Sequence, residues 1–182
     1  LYPDDAASLE GLLKNADLAL YQAKGAGRRT FRFCTARLQD EARHRVRLAT
    51  DLRRAIDEDQ LHLVYQPIVE LATGRVAKAE ALLRWTHPEL GPVSPAEFVP
   101  LAESTGLIGD IGDWVLRRAA SQVKRWREHL DASFQVNVNR SPEQFRAGAR
   151  GADWVRTLQE IGVPGQAIGV EITEGLLLDA TP

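Results

Sequence analysis

The chain has 182 residues, 44% of them apolar and 26% charged, which is room for one sizeable soluble domain or for parts of two. Its formal charge of −2 supplies no basic field for gripping duplex nucleic acid, and its single cysteine, Cys34, excludes an internal disulfide or a cysteine-rich zinc cluster. No apolar run approaches about 18 residues, so no membrane span is expected. The opening LYPDDAASLE has neither the basic start nor the apolar core of a secretory signal. The sequence contains no Met, so Leu1 is not expected to be the start of a natural gene product, although upstream segments could anchor such a product to a membrane. With His44, His62, His87 and His129 in no ligand spacing, a reducing, cytoplasmic setting is expected.

Leu9, Leu12, Leu13, Ala16, Leu20 and Ala23 recur at threes and fours and predict a helix that ends at KGAGRR, where two glycines break the stripe. TFRF then alternates polar and aromatic residues as a short edge strand does. Residues 1–36 carry too little apolar material for a core and read as the tail of a domain. Over residues 37–57, Leu38, Ala42, Val46, Ala49, Leu52 and Ile56 keep a helical period. Arg43, Arg45, Arg47, Arg53 and Arg54 lie between them, giving a connecting helix with a solvated, charged face.

From residue 58 to 182 strand-like and helix-like stretches alternate. LHLVYQPIVE and RVAKAEALLRW read as strands joined by LATG, a link too short for a parallel crossover, so the pair is predicted antiparallel. Helices follow near 95–104 and 110–129, then the strand FQVNVN, a helix over 142–161 and the strand AIGVEITE. This is the parallel α/β pattern of an open sheet or a barrel. The glycines form neither G-x-G-x-x-G after a strand nor a P-loop, which argues against dinucleotide and P-loop sites.

Polar groups gather toward the strand ends. Glu80, Leu82 and Arg84 share one parity, Asn137 and Asn139 share another strand's face, and EITE supplies Glu171 and Glu174. In parallel α/β folds such positions line the ligand crevice. Two carboxylates with one or two amide oxygens suit Mg²⁺ or Mn²⁺, and a neighbouring arginine suits a phosphate. A structural Glu–Arg pair fits the same residues. His87, in THPELG, reads as part of a solvent-facing turn rather than as a base. Phe98, Pro100 and Leu101 read as helix-start packing and Glu103 as a capping or pairing residue. Trp85, Trp114, Trp126 and Trp154 read as core.

LVYQPIV, AEALLRWTHPELGPVSPAEFVPLAESTGLI, VNRSPEQF and GVEITE resemble, in order and spacing, the motifs of the EAL domain, the cyclic di-GMP phosphodiesterase family, over residues 52–182. The resemblance implies an α/β fold, the N-terminal portion of a modified TIM barrel whose first strand is antiparallel. It also implies hydrolysis of cyclic di-GMP to linear pGpG with two Mg²⁺ or Mn²⁺ ions. By it, Glu80 is a catalytic metal ligand and Glu171 a second ligand. The third is Asn139, since only it has Ser two and Gln five residues later, at Ser141 and Gln144. Glu174 matches a second glutamate that braces a loop near the metals. Gln66, Leu82 and Arg84 match substrate-binding positions, Arg84 on a phosphate; a strand-end amide bonded to backbone is the other reading of Gln66. Cyclic di-GMP is the implied partner, and a homodimer through this domain is allowed. An inactive receptor for the same nucleotide is the alternative function. The family's D-D-F-G-x-G motif and later lysine do not occur in these residues, so about half of the barrel and of the metal site is expected here, and the fragment alone is expected to be inactive. Upstream, YPDDAASLEGLLKNADLALYQAKGAGRRTFRF resembles the end of a GGDEF (diguanylate cyclase) domain, in which Lys24 and Arg28 match contacts to the GTP triphosphate. The implied parent is a bacterial tandem of the two domains.

Overall fold

Two helices lead the chain, α1 over Leu9–Gly25 and α2 over Ala36–Ala55, in the computed structural model, which describes residues 2, 6–25, 27, 29–146 and 150–172. The contacts divide into two units, Leu1–Thr50 and Asp51–Pro182, with α2 running through the boundary. Within the first, Ala23 of α1 is buried, whereas Leu9, Leu13 and Leu20 of the expected stripe are exposed. TFRF is not a strand. A strand needs a partner for its backbone, and Phe31 and Phe33 instead stay exposed and meet edge to face at 5.4 Å. The apolar line of α2 is also rotated from expectation. Leu48, Leu52 and Ala55, spaced four and three apart, are fully buried, while Val46 lies about 200° round the helix from Leu48 and is exposed.

The second unit contains β1 (Leu61–Val69), β2 (Val76–His87), β3 (Gly91–Val93), α3 (Pro95–Thr105) and α4 (Ile108–His129). Then come β4 (Gln135–Arg140), α5 (Pro142–Arg146), α6 (Arg150–Ile161) and β5 (Ile168–Ile172). The sheet runs β1-β2-β4-β5, with β3 paired to the end of β2. β1 and β2 are antiparallel, as their short link dictates, and Gly74 takes the positive φ of 71° at that turn. β2, β4 and β5 are parallel, each step crossing through helices. β3 was not expected; it folds back on β2 through the pairs Trp85–Val93 and His87–Gly91.

Pleating gives the sheet two unlike faces. Ala79, Ala81, Trp85, Val136 and Val138 are buried on the side covered by α3 and α4. There Trp85 meets Phe98 edge to face at 5.7 Å, and α4 contributes Ile111, Val115, Leu116, Ala119, Ala120 and Val123 at helical spacing. Glu80, Leu82, Arg84, Asn137 and Asn139 alternate with these and occupy the other face. His87 departs from the expected solvent-facing turn, since it is 4% exposed. Its Nδ1 accepts the backbone N–H groups of Glu89 and Leu90 at 3.1 and 3.2 Å, so the proton sits on Nε2, which donates to Asp51 at 3.0 Å. Two backbone donors and a carboxylate satisfy the ring completely, which is what makes its burial affordable.

On the helix-covered side Tyr65 packs edge to face on Trp126 at 4.8 Å. Burial pushes its phenol up from 10.0 to about 12, against the opposing pull of Arg125 and Arg118. The neutral phenol is the form the fold favours, so its contribution to stability is complete below pH 10.0 and is lost as pH rises toward about 12. Accordingly, phenolate absorbance in a pH titration of the folded protein is expected to include one late step near pH 12 that Tyr65→Phe removes.

Candidate functional site

Register brings the charged residues into two adjacent rows. Gln66 pairs with Glu80, Glu80 with Asn137 and Asn137 with Gly169, while Asn139 pairs with Glu171 one step further on. Glu80 is not at the end of its own strand, being the fifth of the twelve residues of β2. It does lie near the end of the stretch shared with β4, Lys78–Ala81, beyond which β2 continues to pair with β3. Gln66 is likewise within β1 and exposed rather than at a strand end.

The side chains cross between the rows. Asn139 Nδ2 donates to Glu80 Oε1 at 2.8 Å, and Asn137 Nδ2 donates to Glu171 Oε1 at 2.7 Å. Four residues from three strands therefore meet on one face, with both carboxylates held by amides. Their donor set is oxygen-rich and hard, the chemistry that suits Mg²⁺ or Mn²⁺. Among the described residues no group of three or more His, Cys, Asp or Glu side chains gathers, so amide oxygens are needed to complete any cation site here. Arg84 is half-buried, and its Nη1 donates to the Leu83 carbonyl at 2.9 Å. Among the described residues its guanidinium meets no carboxylate, so the structural Glu–Arg pair is not formed, and Arg84 is one of the residues lining a cavity. That cavity, about 290 Å³, lies against β2, α3, α4 and the turn after β4, with apolar Val99, Ile111 and Val115 beside Arg84, Asn139 and Ser141; Glu80 and Glu171 do not line it. Lys24 is exposed on α1 in the other unit; Arg28 and Glu174 lie outside the described residues.

The turn after Asn139 is built more firmly than its sequence suggested. Ser141 Oγ accepts Glu143 N–H at 3.2 Å, and Gln144 Oε1 accepts Ser141 N–H at 2.9 Å. This is a capping box at the start of α5 in which N2 rather than N3 donates to the Ser141 hydroxyl, with Pro142 at the first helical position. The S-x-x-Q spacing is its signal and makes the five-residue helix legible. Ser141 Oγ also donates to Glu103 Oε1 at 2.6 Å, so Glu103 of α3 is a pairing residue, as expected. Gln144 is buried with its amide against Gly112 of α4, where an added Cβ would lie 1.8 Å from Nε2. Behind the strand, Arg140 lies between the rings of Phe145 and Trp154, 4.2 and 4.6 Å from their centroids. Trp154 Nε1 donates to Asp113 at 3.0 Å, and burial lowers the Arg140 pKa while Asp113 opposes the shift. β4 is thus tied to α3, α4, α5 and α6 next to the residue that presents Asn139.

Residues 49–181 match the EAL domain family. An uncharacterized signaling protein of Caulobacter vibrioides is 42% identical over 97% of this chain and 21% of its own length. The cyclic di-GMP phosphodiesterase NbdA of Pseudomonas aeruginosa is 37% identical over 98% of this chain and 23% of its own. The chain thus spans about a fifth to a quarter of the curated relatives it matches. Among solved structures, a complex of the PaMucR phosphodiesterase with c-di-GMP superposes with a TM-score of 0.66 at 43% identity, covering 70% of this chain and 52% of that one. The Xanthomonas citri FimX EAL domain bound to c-diGMP superposes at 0.64 and 27% identity, over 78% and 54%. A sheet with an antiparallel first strand, two crossed carboxylate–amide pairs and matching relatives across nearly the whole sequence converge on one conclusion: the chain belongs to the EAL domain family.

Proposed function

We propose that this chain is part of a cyclic di-GMP phosphodiesterase that opens its substrate to linear pGpG, and that its sheet is the first portion of a modified TIM barrel. The observation that carries the reading is the gathering on one face of two short amide–carboxylate hydrogen bonds, Asn139 to Glu80 and Asn137 to Glu171, with Asn139 and Glu171 paired in register. In this reading Glu80, Asn139 and Glu171 hold divalent cations. Bound there, the cations supply Lewis acidity, neutralise developing phosphate charge and make a water nucleophilic at neutral pH. Arg84 offers its fork to a phosphate oxygen from the cavity wall, while Leu82 and Gln66 flank the same face. Glu174, two residues beyond β5 in the sequence, has in this reading the role of bracing a loop near the cations. The names and bound nucleotide of the relatives support the substrate class. We also infer that the first residues are the end of a GGDEF domain, from their resemblance to that family; a relative matching 80% of this chain is named a bifunctional diguanylate cyclase/cyclic di-GMP phosphodiesterase.

The test uses the full-length protein with cyclic di-GMP, Mn²⁺ and a chelator control. Appearance of pGpG that chelation stops supports the enzyme. Tight binding of the nucleotide with no product over many hours would replace it with the receptor reading, because a site that only binds has no use for a metal-activated water.

A further inference from the structure

We propose that Asn137 is the positioning residue for Glu171, that Gly169 provides its seat, and that together they set the affinity of the site for a divalent cation. This rests on the reading of Glu171 as a metal ligand given above. Glu171 projects from β5, and a glutamate has several rotatable bonds to fix before it can present an oxygen in one place. Its Oε1 accepts Asn137 Nδ2 at 2.7 Å, and among the described residues its other oxygen is left free for a ligand. The contact is diagonal, because the register partner of Asn137 is Gly169 and that of Glu171 is Asn139. To reach across, the Asn137 amide lies directly over position 169. An ideal Cβ there would come within 2.3 Å of Asn137 Oδ1 and 3.1 Å of its Cγ, so no side chain can occupy the position while the amide does.

The glycine is not explained by backbone conformation. Its φ lies outside the left-handed region, and glycine inside a strand weakens the strand. What it provides here is room. Asn139, two residues along, has a different task, donating to Glu80 rather than Glu171. Each carboxylate is therefore oriented by its own amide. Hydrogen-bond partners that orient metal-binding side chains commonly govern affinity by about 10- to 100-fold.

The experiment is a Mn²⁺ titration without substrate, followed by calorimetry or by the paramagnetic resonance of free Mn²⁺. It compares the full-length protein with Asn137→Ala, Gly169→Ala and the double variant. Asn137→Ala is expected to weaken Mn²⁺ binding by about 10- to 100-fold. Gly169→Ala should weaken it to a similar extent by evicting the amide. The double variant should bind no more weakly than Asn137→Ala alone, since no amide remains to be displaced. Losses that multiply in the double variant would mean Gly169 acts through the backbone, and the proposal falls. It falls equally if Asn137→Ala binds Mn²⁺ like the parent while Glu171→Gln does not. If Glu171→Gln also binds normally, the metal reading itself is wrong. Asn137→Ser, whose hydroxyl is too short to reach Glu171, is the substitute should the alanine variant not fold.

Discussion

Replacing Glu80 by alanine in the full-length protein is expected, on the function proposed above, to slow Mn²⁺-dependent cleavage of cyclic di-GMP by about a thousand-fold, a barrier increase of about 4 kcal/mol, while the protein stays folded. The two halves of this expectation come from different parts of the structure. β2 is held by backbone pairing to β1 along its length and to β4 and β3 on its other edge, none of which uses the Glu80 side chain. The fold loses one acceptor for Asn139 Nδ2, an exposed contact worth about 1 kcal/mol. A loss of that size should lower the unfolding midpoint by only a few degrees. Catalysis loses more, since a ligand position and a full negative charge disappear together. Glu80→Gln separates these effects. It keeps an acceptor for Asn139 but loses the charge, and it should be nearly as slow as the alanine variant. Arg84→Ala should behave differently, raising KM more than it lowers kcat if its fork chiefly grips a ground-state phosphate. Product formation by Glu80→Ala at the parent rate, measured by separating pGpG from substrate, would remove Glu80 from the site.

How far the sequence reveals this arrangement depends on which physical rule places each residue. Strand parity is local and strict, so the shared face of Glu80, Leu82 and Arg84, and that of Asn137 and Asn139, can be read from spacing alone. The antiparallel first pair follows from the length of one turn. Other features depend on partners far away in the chain. His87 lies in a stretch whose residues favour an exposed turn, and it is buried because Asp51, 36 residues earlier, accepts its proton and two turn amides saturate its other nitrogen. The diagonal reach of Asn137 to Glu171 needs an empty Cβ position at Gly169, two residues before Glu171 in the same strand, which no local pattern of Asn137 announces. TFRF has strand alternation, but alternation predicts a strand only where a neighbour exists to pair with it. The capping box of α5 is different again, since S-P-E-Q carries the signal in full.

That capping box makes Gly112→Ala the substitution with the largest expected effect on stability. In an ordinary helix interior, alanine in place of glycine gains about 1 kcal/mol. Here the new methyl would stand 1.8 Å from Gln144 Nε2 and 2.9 Å from its Cδ, distances at which no relaxation of a few tenths of an ångström suffices. Gln144 is 4% exposed, so its amide has no solvent side to swing into without losing its burial. Moving it breaks the bond to Ser141 N–H and with it the cap of α5, at about 1 kcal/mol. Stranding a buried amide adds about 1 to 3 kcal/mol, and forcing α4 away from its neighbours adds about 1 to 3 more. The losses outweigh the helical gain by about 3 kcal/mol, which for a unit of this size is a midpoint lower by about 10 °C. Gly112→Ala combined with Gln144→Ala should recover most of the overpacking but not the cap, leaving about 1 to 2 kcal/mol of the deficit. Because Ser141 follows Asn139 by two residues and is anchored to Glu103 on α3, the displacement should also loosen the Asn139–Glu80 contact and weaken Mn²⁺ binding. A thermal melt of Gly112→Ala at or above the parent midpoint would mean that helical propensity prevails and that the Gln144 amide is not fixed where its hydrogen bond to Ser141 puts it.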